Sequence, residues 1–253
     1  YMSELLRNEL YELNNPQSNK DISPLNYLAK IQFQISTIPK ENEFLIESFE
    51  TKEGFHTVFY PFEGRFVHEA LSHLIAYRIS LLKPVTFSLA YNDYGFELLS
   101  DEFLNIENVL DNNLWDESYL FEDLNQSINT SEMARRKFRD IAVISGLIFT
   151  GMPNKRKKNK DLQSGSQLLF DVFRDYEPEN LLFKQSFSET FEYQLEEERL
   201  RKALIRIQKQ KLIWKKISKP SPFSFPIITD RLRESLSSEQ FDDRISKMLN
   251  NYS

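Results

Sequence analysis

The chain reads as an α+β protein, a small antiparallel β-sheet or barrel surrounded by many helices. Three observations predict this. Apolar residues alternate with period two in several short runs, mostly between residues 42 and 99. Helical spacing of apolar residues dominates on both sides of that stretch. The composition of 253 residues holds 21 Phe and 11 Tyr but only 6 Gly, which suits an aromatic core and not a Gly-rich nucleotide-binding sandwich.

Taken in order, residues 3–14 and 22–36 are predicted helical, separated by the loop Asn14-Asn-Pro-Gln-Ser-Asn-Lys20. Phe44–Phe49 and Phe55–Tyr60 read as strands around the turn Lys52-Glu-Gly54. Pro61 ends the second, and a helix follows over 64–80. Its apolar face carries Val67, Ala70, Leu71, Leu74 and Tyr77; Arg65, Glu69, Ser72 and Ala76 lie opposite, with Arg65 and Glu69 paired at i,i+4. Val85–Ala90 and Tyr94–Leu99 alternate like a hairpin turned at Asn92-Asp93.

Residues 106–144 read as short helices. The last, about 131–145, starts at Ser131 as N-cap and stops at Gly146, with Ala134, Phe138, Ile141 and Ala142 as its apolar stripe. The loop Gly151–Lys160 follows, then helices near 164–175 and 179–210, the second with room for a break. Lys211–Ile217 reads as a late strand, Pro220–Pro226 as an extended connector, and 237–250 as a final helix. The organisation expected is a helical lead-in over 1–41 and one barrel-plus-helices module over 42–253.

Length allows one large domain or two small ones. There is no Cys, which removes disulfides and thiolate metal sites and fits a reducing, cytoplasmic setting. The longest apolar run, Ile141–Phe149, is far short of a membrane span. The chain begins Tyr1-Met2 without a signal-peptide pattern, and is read as a fragment of a longer protein.

The net charge of −6 is unevenly distributed. Residues 135–160 carry nine Lys/Arg and one acid, Asp140; residues 199–219 carry nine Lys/Arg and no acid. These 47 residues have net charge +17, leaving −23 on the other 206. Two basic segments on an acidic body suit a polyanion partner, or else two solvated helix faces.

Catalytic motifs are missing. There is no G-x-x-x-x-G-K-[ST] phosphate loop and no G-x-G-x-x-G. His68-Glu-Ala-Leu-Ser-His73 imitates a zinc helix, but histidines five apart stand about 140° apart around a helix and do not close on one ion. His68 is expected to cap or pack beside Ser72, with His73 exposed. Asp93, Glu97, Asp101 and Glu102 form an acidic cluster. Asp93 and Glu97 share a strand face if the strand is unbroken, and paired carboxylates suit acid–base work, Mg²⁺ or plain solvation. No nucleophile sits in a recognisable elbow, so no catalytic or metal-binding residue is assigned.

The candidate nucleic-acid contacts are basic. Arg135, Arg136 and Arg139 lie on an ordered helix, where a guanidinium grips phosphate bidentately. Lys155, Arg156, Lys157, Lys158 and Lys160 lie on a loop suited to an electrostatic clamp. Lys211, Trp214 and Lys215 set an aromatic ring among lysines, as single-strand stacking requires, although a core Trp with outward lysines gives the same pattern. Arg65 completes the set.

Five segments go beyond composition: Tyr60-Pro-Phe-Glu-Gly-Arg-Phe-Val-His-Glu69; Asn92-Asp-Tyr-Gly-Phe-Glu-Leu98; Met133-Ala-Arg-Arg-Lys-Phe-Arg-Asp-Ile-Ala142 with Gly146-Leu-Ile-Phe149; Leu168-Leu-Phe-Asp-Val-Phe-Arg-Asp-Tyr176; and Pro222-Phe-Ser-Phe-Pro226. In this order they resemble the C-terminal region of large-helicase-related (Lhr-type) proteins, and most of all the ligase-associated DEXH-box helicases. The resemblance covers about 42–250 and is looser before that.

It implies a monomeric superfamily 2 motor with two RecA-like domains and a winged helix, moving 3′ to 5′ on single-stranded DNA in repair. The present module would close over the tracking strand. ATP and Mg²⁺ would belong to the motor domains, so the fragment itself carries no cofactor and no catalysis. Partners implied are single-stranded DNA, the parent's own domains, and DNA ligase or other repair proteins, with no membrane. Two alternatives remain. One is a glycosylase-like base-processing module, faintly echoed by Gln208-Lys-Gln210. The other is a protein-docking module.

Overall fold

Among the described residues, five strands form one sheet, in the spatial order β3 (Ser88–Tyr91), β4 (Phe96–Ser100), β2 (Gly54–Phe59), β1 (Glu43–Thr51) and β7 (Lys211–Lys216). They are seen in a computed structural model that describes residues 5, 7–10, 24–106, 114–127, 130–149, 151–152, 155–156, 159–194, 196–235 and 245. Strands β1 (Glu43–Thr51) and β2 (Gly54–Phe59) pair antiparallel with Thr51 opposite Gly54, so the turn is Lys52-Glu53. Strands β3 (Ser88–Tyr91) and β4 (Phe96–Ser100) add the second hairpin, and β4 pairs with β2. The α+β expectation holds, in its sheet form. The sheet is open, and it is mixed because β7 (Lys211–Lys216) runs parallel to β1, with Trp214 opposite Ile46.

Strands β1, β2 and β4 are buried on both faces, and their polar residues Glu47, His56 and Glu97 are buried with the apolar ones. Leu45, Phe49 and Val58 face Ile227, Ile228 and Leu232. Phe44, Phe59 and Phe96 lie on the other face; Phe59 stacks on Phe96 at 4.7 Å, and Trp115 packs edge-on against Phe44 at 5.2 Å.

Around the sheet stand α1 (Pro24–Ile35) and α2 (Arg65–Leu82). Helices α3 (Leu120–Ser127), α4 (Thr130–Ile144), α5 (Asn159–Tyr176) and α6 (Leu181–Glu189) follow. After a π-turn at Thr190–Gln194 come α7 (Glu197–Lys209) and α8 (Ser224–Ser235). The chain divides into two compact units. One is the sheet unit, 1–120 with 199–253; the other is a helical unit, 121–198. The helical unit is held by Ala134, Phe138, Ala142, Phe170 and Phe183, all buried.

Several boundaries move. Helix α4 starts at Thr130, so Ser131 lies within its first turn and is not the cap. It does end where expected: Gly146 takes φ +79, and the Ile148 N–H donates to the Ala142 carbonyl at 3.0 Å. The expected loop 151–160 contains a short ladder, β5 (Gly151–Met152) with β6 (Lys155–Arg156), and its last two residues open α5. The expected 179–210 helix breaks at the π-turn and at Glu196, which has φ +46. The connector does not stay extended: Pro222-Phe223 forms a turn, and Ser224-Phe-Pro226 is the first turn of α8, where a proline sacrifices no helical hydrogen bond. The helix expected at 237–250 lies outside the described residues apart from residue 245, which is helical.

Candidate nucleic-acid interface

The Pro61–Arg65 turn is built as a joint. Gly64 opens α2 with φ 95 and ψ 161, a backbone region essentially reserved for glycine. Phe62 is held at φ +52 with its ring buried. Three arginines grip this turn. Arg7 reaches Glu63 Oε1 at 2.6 Å. Arg206 donates to Glu63 Oε1 at 3.0 Å and to the Pro61 carbonyl at 2.7 Å. Arg199 donates to the Glu63 carbonyl. Two arginines of the second basic segment are therefore turned onto the protein itself.

His68 joins this turn to the second hairpin. It is fully buried; its Nε2 accepts from the Glu63 N–H at 2.8 Å, and its Nδ1 lies 2.5 Å from the Asn92 carbonyl. A carbonyl only accepts, so the proton sits on Nδ1 and the ring is neutral. Burial, with lesser contributions from Arg199 and Arg206, pushes its pKa down to about 4 against the pull of the Asn92 carbonyl and Asp93. Both ring nitrogens are committed, so His68 is a structural link and not a metal ligand. His73 is half-buried where exposure was expected, and burial lowers its pKa too. Ser72, expected on the polar face, is buried and donates to the Glu69 carbonyl at 2.8 Å.

The acidic cluster separates. Strand β4 begins at Phe96, so Asp93 lies in the preceding turn and the two carboxylates do not share a face. Asp93 is exposed and accepts from the Arg65 N–H at 3.2 Å. Glu97 is fully buried between His56 Nδ1 at 2.5 Å and Arg231 Nε at 2.9 Å. Among the described residues no cluster of His, Cys, Asp or Glu is arranged to hold a metal ion.

A second buried carboxylate, Glu47, accepts from Gln32 Nε2 at 2.8 Å and from the hydroxyls of Tyr60 and Ser221, each at 2.6 Å. Burial and the Glu47 charge push the Tyr60 phenol well above its ordinary value. Sequence reasoning gave no sign of this network, whose bonded partners lie up to 174 positions apart.

The candidate contacts divide between the two units. In the helical unit, Arg135 is half-buried, bonded to Asp171 at 2.9 Å with its guanidinium 5.4 Å from the Phe170 ring centre. Arg136 and Arg139 are exposed, the latter 3.6 Å from Asp140. Lys155 and Arg156 lie on β6 and Lys160 in the first turn of α5; Lys157 and Lys158 fall outside the described residues.

In the sheet unit, Arg65 is exposed, its guanidinium 5.4 Å from the Tyr91 ring centre. Tyr91 in turn donates to Glu69 at 2.8 Å. Strand β7 is a sheet edge, with Lys211 and Lys215 exposed along it. Trp214 is half-buried, and its Nε1 donates to Ser48 Oγ at 2.9 Å. Its ring lies 6.3 Å from Phe103 with planes 26° apart, and the Lys216 ammonium stands 4.4 Å from the Trp214 centroid and 5.0 Å from that of Phe103. Phe103, 41 % exposed, was not anticipated, and only its nearness in space to Trp214 reveals it.

Residues 38–224 match the family described as DEAD/H associated, which covers most of the chain. The chain belongs to the DEAD/H associated family. Its relatives include Lhr-type helicases. Over 203 residues it is 25 % identical to the ATP-dependent helicase Lhr-Core of Methanocaldococcus jannaschii, covering 80 % of this chain and 24 % of that protein. Over 198 residues it is 27 % identical to the ATP-dependent helicase Lhr-Core protein 2 of Thermococcus barophilus, covering 77 % and 23 %. It thus spans about a quarter of the curated relatives it matches. Its fold is that of part of the Mycobacterium smegmatis helicase Lhr, solved bound to ssDNA and AMP-PNP. That match has a TM-score of 0.64 at 19 % identity, covering 80 % of this chain and 26 % of that one. Among the described residues no helix is long and apolar enough to cross a membrane.

Proposed function

We propose that this chain is an accessory single-stranded DNA-binding module of an ATP-dependent helicase. In this reading the parent moves 3′ to 5′ in DNA repair and the module grips the tracking strand. The observation that carries it is the edge strand β7, where exposed lysines flank an aromatic ring held in place by Ser48 and Phe103. A strand edge lined with ammonium groups follows a phosphate backbone, and a fixed ring accepts any base, since every base has a π-face. The exposed Arg136 and Arg139 offer a second contact, and Arg65 a third. Arg135 serves the grip less directly, being tied to Asp171 and Phe170. ATP and Mg²⁺ are assigned to the parent's motor domains, and repair partners such as a ligase to the parent as a whole.

The glycosylase reading loses its one sequence echo. Gln208 lies in α7, its amide donating to the Trp115 carbonyl at 2.9 Å. Gln210 accepts from Arg206 at 2.8 Å and donates to the Glu41 carbonyl at 2.7 Å. Both amides serve the fold.

Fluorescence anisotropy with a labelled oligo-dT tests the proposal. Binding should be indifferent to base order and stronger than to duplex, with a log–log salt slope of roughly −4 for six phosphate contacts. Trp214→Ala should weaken it by about 1–3 kcal/mol while Trp214→Phe retains most of it. Equal loss in both variants, or no salt dependence, would refute the proposal.

A further inference from the structure

At the head of β7 the chain forms an open cleft of about 430 Å³, lined by Lys40, Glu41, Asn42, Arg206, Lys209 and Gln210. Its wall is rigid. Arg206 binds Gln210 and Glu63, Gln210 binds the Glu41 carbonyl, and the Lys211 N–H donates to the Asn42 carbonyl at 2.7 Å. Its remaining donors are uncommitted: the ammonium groups of Lys40 and Lys209 and the Asn42 amide have no partner among the described residues, and all three residues are exposed. Two cations and a neutral donor lining one open cleft match the demands of a phosphate group, which accepts several hydrogen bonds at once. Among the lining residues the opposing group is the Glu41 carboxylate, and the Glu43 carboxylate stands beside the cleft, accepting from the Lys40 N–H at 3.0 Å.

We propose that this cleft seats a phosphate group, and that the phosphate is a backbone unit of the single strand passing along β7. The first lysine of that strand, Lys211, adjoins the cleft through its bond to Asn42, so strand and cleft form one path. The inference rests on the nucleic-acid reading above for the source of the phosphate, but not for the seat itself.

The test uses the whole chain with oligo-dT and, separately, inorganic pyrophosphate. Lys40→Glu combined with Lys209→Glu should lower the oligo salt slope by about 0.7, one phosphate contact on a single strand, and weaken binding several-fold at low salt. Glu41→Gln should act oppositely, tightening binding two- to five-fold. Opposite signs from neighbouring surface substitutions are not produced by misfolding. An unchanged slope in the double variant, with Glu41→Gln neutral, overturns the seat while leaving oligo binding and its reading intact. If the chain binds no oligo, pyrophosphate binding that vanishes in the double variant upholds the seat and assigns it to a free phosphate compound. Failure to bind either ligand overturns both.

Discussion

At the scale of single residues, the buried polar groups are the structural anchors, and His68 is the most exposed to experiment. Its folded pKa of about 4 lies below the ordinary 6.5. As pH falls through 6.5 the unfolded chain takes up a proton that the folded chain refuses until about 4, so stability is full above that window and is lost across it. At about 1.36 kcal/mol per unit, His68 accounts for roughly 2 kcal/mol of the loss between pH 7 and pH 5. Urea titrations at both pH values should therefore show His68→Gln destabilised at pH 7 but less sensitive to acid than the parent. An identical pH response would remove His68 from that role. Tyr60→Phe takes one of three donors from Glu47 and should cost about 1–3 kcal/mol, read from the same titrations.

At the scale of elements, the motif glycines decide how hairpins meet α2. Gly64→Ala forces an L-residue into a region it avoids, at a cost of about 1–3 kcal/mol. In Gly95→Ala a methyl would fall inside van der Waals distance of the Phe59 carbonyl oxygen, which belongs to a paired strand and cannot yield cheaply. Gly165, inside α5 with open space around it, gives the opposite sign: its replacement by Ala should raise stability by up to about 1 kcal/mol. Thermal unfolding of the three variants checks the order Gly165→Ala above wild type above the other two. The local elements were legible in the sequence because alternation, Gly54 and Pro61 are local signals. Pairing of β7 with β1 was not, since Trp214 meets Ile46 across 168 positions with no periodicity to announce it. Glu97 looked like part of a solvated acidic cluster because its partner Arg231 lies 134 residues away.

At the scale of the whole molecule, the charge partition was legible but its use was not uniform. The basic segment 199–219 contains two populations: Arg199 and Arg206 brace the Pro61–Arg65 turn, while Lys209, Lys211, Lys215 and Lys216 face solvent. Sequence counts both alike, because only position on α7 or β7 decides which way a cation points. In the segment 135–160, likewise, Arg135 is absorbed by Asp171 while Arg136 and Arg139 stay on the surface. The central claim, that the β7 edge carries the strand, is tested most directly by the salt dependence of oligo-dT binding in Lys211→Glu/Lys215→Glu, beside a variant with Lys30→Glu on α1. The account predicts a slope shallower by about 1.4 in the β7 variant, two phosphate contacts on a single strand, and no change in the α1 variant. Equal slopes for both variants would contradict it.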